Sequence, residues 1–462
     1  MQNDAIKDAR TLGLPKMFVL GLQHMFAMFG ATILVPILVN GYFEGEGISI
    51  QVTLFCAGIG TLLFHLITKK KVPAFLGSSF AFLGGFAAVA SLNTGIYEGM
   101  AMSEKCQYAC GGIVVAGLLY LVFAFIIKMV GVRRVMHFLP PVVTGPIIIC
   151  IGLSLAPSAV TNASQNWLLA IIAFAVIVIF NIWGKGMFKI IPILMGVVIS
   201  YVAALIFNAI GMTNADGTAI LTFTEVASAK WISLPPWMFC KFDITAILIM
   251  ATISIATMME HVGDISAISA TVGENYLAEP GLHRTLIGDG LATAFAGVVG
   301  GPANTTYGEN TGVLELSRVH DPRVIRLAAV YAVVLSFIPK VAEIIGSLPT
   351  AIIGGVSFIL YGMISAIGVR NVVENHVDFT KSRNLIIAAA ILVSGLGFSD
   401  GLTFTIGKTS ITLTSLAIAA IFGIVLNAIL PGNDYQFDED AESDMIRKDI
   451  MMDGKVKSEM KN

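Results

Sequence analysis

Apolar residues fill this chain in runs of about twenty, the length an α-helix needs to cross the hydrocarbon core of a bilayer, and short breaks rich in charge, glycine or proline separate the runs. Marking them in order predicts fourteen segments, near 15–39, 49–68, 73–93, 108–130, 137–156, 166–183, 188–210, 242–266, 285–300, 304–317, 323–346, 349–369, 384–398 and 409–430. The two runs between 285 and 317 are short for separate crossings. The longest polar interruption, about 211–241, leaves seven segments on either side. Seven is odd, so the second block enters the membrane upside down relative to the first. That is the geometry of an inverted repeat, a plan used by many secondary transporters. The pattern thus predicts an all-α polytopic membrane protein. Residues 1–212 form a first seven-span repeat, 213–241 a periplasmic linker, 242–430 a second, inverted seven-span repeat and 431–462 a cytoplasmic tail. Asp438, Glu439, Asp440, Glu442 and Asp444 make that tail acidic and solvated.

Loop charge tests the count independently, because Lys and Arg concentrate on the cytoplasmic side. Basic clusters recur in alternate breaks: Lys7, Arg10 and Lys16; Lys69, Lys70 and Lys71; Lys128, Arg133 and Arg134; Lys185 and Lys189; Arg318, Arg323 and Arg326; Arg370, Lys381 and Arg383. The intervening breaks are acidic or neutral, with Glu44 and Glu46 in one, and Glu98, Glu104 and a single Lys105 in another. The alternation puts both termini in the cytoplasm.

Composition agrees. Hydrophobic residues make up 56% and charged residues 13%, and the mean hydropathy is +0.83, far above a soluble domain of this size. The 46 glycines suit a bundle whose helix backbones approach closely. A net charge of −2 gives no basic field, which excludes nucleic acid as a partner and leaves membrane lipid as the surroundings. Of the five cysteines, Cys106 and Cys110 could share a helix face but lack two further ligands for zinc, so no metal is expected. The polar N-terminus runs into a full-length span without a cleavage site, so no cleaved signal peptide is expected.

Three places break the apolar pattern with chemistry. Glu260 lies mid-segment in IMATISIATMMEHVGDISAIS, with Asp264 one turn on and on the same face, while His261 points elsewhere. Acids at that depth cost roughly 2.5–3.5 kcal/mol and by default serve function; two on one face repel unless a proton, cation or donor intervenes. The bland alternative is a polar pair that only ties helices together. The second break is GGPANTTYGENTGVLELSR, 300–318: Gly300, Gly301 and Pro302 end any helix, Thr305, Thr306 and Tyr307 favour extended backbone, and Gly308 precedes a fresh helix starting near Glu309 and Asn310. Extended backbone in a bilayer persists only where protein or substrate satisfies it. The bland alternative there is an external loop. The third break, VPAFLGSSFAFL at 72–83, has Pro73, Gly77, Ser78 and Ser79 ahead of Phe80, and sits in the matching span of the first half. Interrupted segments at corresponding positions of two halves point to a transporter site. His24, inside the first span, is a supporting candidate. GLTFTIGKT, Gly401 to Thr409, imitates a phosphate loop with one residue too many and no strand–helix unit around it, so ATP binding is not expected. A channel would need a continuous polar pore and a membrane enzyme a nucleophile or metal constellation; neither pattern is present.

In these residues and their order, the chain resembles the nucleobase/ascorbate transporter family, in particular its bacterial uracil permease branch. The matching blocks run through nearly the whole chain: GLQHMFAMFGATILVP at 21–36, PAFLGSSFAF at 73–82, EHVGD at 260–264, GLHR at 281–284 and NTTYGENTGV at 304–313. The family signature maps onto Glu309, Asn310, Gly312, Ser317 and Arg318, with Ser317 in place of the usual threonine. The resemblance implies fourteen spans in two inverted repeats, divided into a core and a gate domain, with short strands in broken spans 3 and 10. It implies that Phe80, Glu260, Gly308 and Glu309 bind the substrate. His24, Asp264, Tyr307 and Asn310 would support the site or, with Glu260, couple protons. It further implies homodimers that import uracil or a related nucleobase by proton symport, with protons as coupling ion and no other cofactor. Asp264 departs from the uracil branch, which carries histidine there, and matches purine members; Glu309 departs from the purine members, which carry glutamine. A purine or xanthine symporter is therefore the alternative.

Overall fold

The computed structural model describes residues 5–399, 401–406 and 409–432; the acidic stretch expected at 431–462 lies almost wholly outside the described residues. The chain is mostly helical. Two long helices, α1 (Leu14–Tyr42) and α2 (Ile50–Ile67), lead to a three-residue strand β1 (Leu76–Ser78) and a short helix α3 (Leu83–Ala90). Then follow α4 (Met102–Val130), α5 (Val132–Phe138), α6 (Pro141–Ser154), α7 (Ala156–Ala163), α8 (Trp167–Trp183), α9 (Met187–Ile190), α10 (Pro192–Ala209) and, within the polar interruption, α11 (Thr224–Ser228). The second half begins with two helices, a short strand and a helix, as the first does: α12 (Ile244–Val272), α13 (Leu282–Val298), strand β2 (Asn304–Thr306) and α14 (Gly308–Ser317). It closes with α15 (Pro322–Ser336), α16 (Pro339–Gly346), α17 (Thr350–Glu374), α18 (Ser382–Gly397), strands β3 (Leu402–Ile406) and β4 (Thr409–Leu413), and α19 (Ser415–Ile429). Among the described residues, seven helices are long and apolar enough to cross a membrane, or eight if α15 and α16 count as one bent span. This is a multi-pass membrane protein.

Helix starts follow capping chemistry. Ser49, Asn166, Asp243, Asp321 and Thr414 each accept a hydrogen bond from a backbone N–H of the first turn of α2, α8, α12, α15 and α19, satisfying donors that have no partner within the helix. Prolines open α6, α10, α15 and α16, where the missing N–H costs nothing.

Two expected spans need correction. The run 323–346 is not one straight segment: α15 and α16 meet at 86°. Ile338 precedes Pro339, which drives it out of the helical region to φ −113°, ψ 85°. The run expected at 409–430 begins as strand β4 and becomes helical only at Ser415. β3 and β4 form an antiparallel hairpin, Leu402 facing Leu413 and Ile406 facing Thr409, built from threonines and branched residues that favour extended backbone. The GLTFTIGKT stretch runs through β3 to the first residue of β4, and its Gly407 and Lys408 lie outside the described residues.

The helices pack in two groups, and each group draws on both halves of the chain. In one, α13 lies against α4 and α2, α15 against α2 and α1, and α12 against α4. In the other, α17 lies against α6, α7 and α8, α18 against α19 and α6, and α10 against α8. Close approach of α4 and α13 depends on glycine: a Cβ on Gly117 would lie 2.5 Å from the Gly290 carbonyl oxygen, and one on Gly290 2.6 Å from that of Gly117. Small residues allow such contact in membrane bundles.

Candidate functional site

The two interrupted segments meet. β1 and β2 pair antiparallel, Leu76 facing Thr306, Gly77 facing Thr305 and Ser78 facing Asn304. The ladder continues at both ends, with Ser79 N donating to Ala303 O at 2.8 Å and Tyr307 N to Phe75 O at 2.9 Å. Two strands of three residues would leave outward-facing backbone groups orphaned in an apolar interior. Side chains satisfy them. Thr61 Oγ1 accepts from Leu76 N at 2.9 Å and donates to Leu76 O at 3.2 Å. Tyr307 Oη donates to Ser78 O at 2.9 Å, and Thr293 Oγ1 donates to Asn304 O at 2.8 Å. Gly77 is required by close approach, since a Cβ there would lie 2.4 Å from the Tyr307 ring.

A small cavity of about 30 Å³ lies where β2 gives way to α14, lined by Phe80, Ile148, Glu260, Asp264, Thr305, Thr306, Tyr307, Gly308, Ile364 and Ile367. It lies at the seam between the helix groups, with Ile148 from α6 and Ile364 and Ile367 from α17 facing the strand side. The i,i+4 spacing puts Glu260 and Asp264 on it together. The start of α14 faces that acid pair: a Cβ on Gly308 would lie 3.8 Å from Asp264 Oδ1 and 3.2 Å from Ile367 Cδ1, so partial positive charge at the helix N-terminus is directed at a carboxylate. Phe80 is held edge-on by Tyr361, centroids 5.9 Å apart. Thr305 Oγ1 is buried without a hydrogen-bond partner among the described residues.

A larger cavity of about 370 Å³ adjoins through shared Gly308, Ile364 and Ile367. Its walls come from α1, α8, α9, α10, α14 and α17, with Lys189 of α9 and Arg370 of α17 among them. Those two residues belong to basic breaks that the charge alternation assigns to the cytoplasm.

The structure therefore brings Phe80, Glu260, Asp264, Tyr307 and Gly308 to one cavity. Glu309 occupies the first turn of α14; its side chain lies outside the described residues. His24 and Asn310 stand behind the wall rather than in it: Asn310 Nδ2 lies 3.2 Å from His24 Nδ1 and donates to His24 O at 3.2 Å, both residues buried, so α14 is tied to α1. Sequence reasoning missed Ile148, Ile364 and Ile367, whose apolar runs carry no distinguishing signal. It also missed Asp289, although a lone acid in an apolar span is the signal that singled out Glu260.

Fold and cavity define a polytopic membrane protein with a cavity beside two paired, strand-interrupted segments. The fold is similar to that of the transmembrane domain of the cyanobacterial bicarbonate transporter BicA, with a TM-score of 0.62 at 14% identity, covering 91% of this chain and all of that one. A family model described as "Permease family", that of the xanthine and uracil permeases, matches residues 15–404. The uracil permease of Bacillus caldolyticus is 40% identical over 442 residues, 92% of this chain and 94% of that protein. The uracil permease of Bacillus subtilis strain 168 is 39% identical over 429 residues, 89% of this chain and 91% of that protein. The chain belongs to the nucleobase/ascorbate transporter family; it is a permease, not an enzyme.

Proposed function

We propose that this protein imports uracil by proton symport with alternating access. It crosses the bacterial inner membrane fourteen times as two inverted repeats with both termini in the cytoplasm, and works as a homodimer. The observation that carries the reading is the convergence of Phe80, Glu260, Thr305 and Gly308 on one cavity at the β1–β2 junction, in a chain 40% identical to a uracil permease. Uracil is flat and neutral, and its rim carries N–H donors and C=O acceptors. Carboxylates accept, a helix start donates backbone N–H groups, and a threonine hydroxyl does either, so the whole rim finds partners while Phe80 covers a face. The cavity of about 370 Å³ lined by Lys189 and Arg370 supports an exit on the cytoplasmic side.

The two glutamates divide the work. Glu309, at the start of α14, has its charge stabilised by the helix N-terminus and serves as a fixed acceptor. Glu260, mid-helix beside Asp264, carries the coupling proton. Glu309→Gln exchanges an acceptor for a donor facing uracil and costs about 1–3 kcal/mol of binding, whereas Glu260→Gln flattens the pH dependence of binding. A pH-independent Glu309→Gln beside a Glu260→Gln that keeps the wild-type profile would reverse the roles.

Asp264 on the cavity wall favours a second reading, a purine or xanthine symporter. Competition of unlabelled bases against radiolabelled uracil uptake decides between them. Uracil should compete far better than xanthine or hypoxanthine, and preferential inhibition by xanthine would transfer the assignment.

A further inference from the structure

Joined to the cavity wall through Thr306, but not lining the cavity, lies a second buried polar group that the transport scheme above does not use. His261 Nδ1 on α12 is 2.8 Å from Thr306 Oγ1 on β2 and 3.0 Å from Asp289 Oδ2 on α13. His261 and Asp289 are 0% exposed and Thr306 is 2% exposed. Three successive elements of the second half thus meet on one imidazole nitrogen. The opposite edge has no such company: His261 Nε2 lacks a hydrogen-bond partner among the described residues, and the Phe64 ring lies edge-on at 6.4 Å between centroids.

The contacts fix the proton. If Nδ1 were bare, its lone pair would face the Asp289 carboxylate at 3.0 Å, and an Nε2–H would be buried with no acceptor. With the proton on Nδ1, the ring donates to Thr306 Oγ1 while the carboxylate lies beside the N–H and stabilises it, the arrangement by which a buried acid selects a histidine tautomer. Asp289 is one helical turn before Thr293, whose hydroxyl donates to Asn304 O. The same face of α13 therefore holds both ends of β2, at Asn304 directly and at Thr306 through His261. Thr306 precedes Tyr307 and Gly308, which line the cavity.

We propose that Asp289 and His261 are positioning residues for substrate. Asp289 holds the Nδ1–H tautomer of His261, His261 fixes Thr306, and β2 is thereby kept in register with the acid pair on α12. Neither residue lines the cavity. The inference rests on the reading of that cavity as the nucleobase site, and it adds α13 as the element that sets the geometry from outside the cavity.

The test is a variant series in purified full-length protein. It combines radiolabelled uracil binding per folded transporter, thermal stability in detergent, and hydrogen–deuterium exchange of the backbone at 304–306, a readout that needs no ligand. His261→Leu should weaken affinity about tenfold or more and raise exchange at 304–306, because Thr306 loses its donor. His261→Asn, which places an amide nitrogen near the Nδ1 position, should recover affinity to within about threefold of wild type. Asp289→Asn should fall between them. Tyr120→Phe removes a different buried bond on α12, from Tyr120 Oη to Thr257 Oγ1 at 2.6 Å; it should lower thermal stability and leave affinity alone. Wild-type affinity in His261→Leu, unchanged exchange at 304–306, or failure of His261→Asn to recover would overturn the assignment. If the wild type binds xanthine in place of uracil, the uracil reading falls, and the same series measured with xanthine still decides the positioning role.

Discussion

Replacing Gly77 by alanine tests the strand junction at its tightest point. A Cβ at residue 77 would lie 2.4 Å from Cε2 and Cζ of Tyr307 and 2.8 Å from Thr32 Oγ1. Carbon atoms rest at about 3.5–4.0 Å, so the ring must retreat by about 1 Å. The ring is held by its hydroxyl, which donates to Ser78 O at 2.9 Å, and a retreat of that size takes the pair beyond hydrogen-bonding range. Overpacking costs about 1–3 kcal/mol and the orphaned Ser78 carbonyl about 1–3 kcal/mol more. Even the low end, about 2 kcal/mol, corresponds to roughly thirtyfold in affinity if it falls on the binding-competent geometry. Gly84 supplies the control, because a Cβ there meets nothing within 4 Å and alanine gains about 0.5–1 kcal/mol of helix propensity in α3. Tyr307→Phe isolates the hydroxyl contribution without the clash. Uracil binding in detergent should rank wild type and Gly84→Ala together, Tyr307→Phe below them and Gly77→Ala lowest, and thermal unfolding should give the same order with Gly84→Ala level with or slightly above wild type. A Gly77→Ala protein with wild-type stability and affinity would refute the claim that this junction is sterically closed.

Thr61→Val keeps the shape of Thr61 but strands both outward backbone groups of Leu76, so it should cost about 1–3 kcal/mol of stability with Thr61→Ser close to wild type in thermal unfolding. In the N-terminal segment ahead of α1, the Arg10 side chain, then the Arg10 backbone N–H, hold the Asp8 carboxyl well below its usual range, with Arg323 adding attraction. A group lowered on folding contributes stability above its unfolded value and loses it as pH falls, so a spin label at Ala5→Cys should stay immobile from pH 8 to about 5 and loosen only below the carboxylate range; release near pH 7 would contradict this. Reporter fusions after Lys71 and Arg134 should read cytoplasmic and fusions near Glu46 and Asn214 periplasmic; the opposite pattern would overturn the orientation read from loop charge.

Much of the site was legible because the bilayer makes polarity conspicuous. Glu260, Asp264 and the GGPANTTYGEN break stand out against apolar surroundings, and the spacing of Glu260 and Asp264 put them on one face before any fold was known. The β1–β2 pairing was legible only as two matching interruptions: nothing in VPAFLGSSFAFL specifies Asn304–Thr306 as its partner, since that choice is made by Thr61, Thr293 and Tyr307 across the bundle. Hydropathy misread 409–430 because Thr409–Leu413 is apolar enough to pass for helix, while its threonines and branched residues already favoured strand. The bend at Ile338 had its cause in plain view at Pro339, yet an average over the run 323–346 conceals a two-residue break.

The placement of charge follows from the same economy. In the cavity, β1 and its flank contribute Phe80, and α6 and α17 contribute Ile148, Ile364 and Ile367, whereas both wall carboxylates among the described residues, Glu260 and Asp264, come from α12. An acid in a bilayer is tolerable only where donors are fixed nearby, and the start of α14 faces α12 at that point. Under the uracil reading this asymmetry suits the substrate, with ring faces against phenylalanine and isoleucine and the polar rim against α12 and the strand end. It also explains why α13 can govern the site without touching it: the acids are useful only in register with β2, and Asp289, His261 and Thr293 join α12, α13 and β2 in that register.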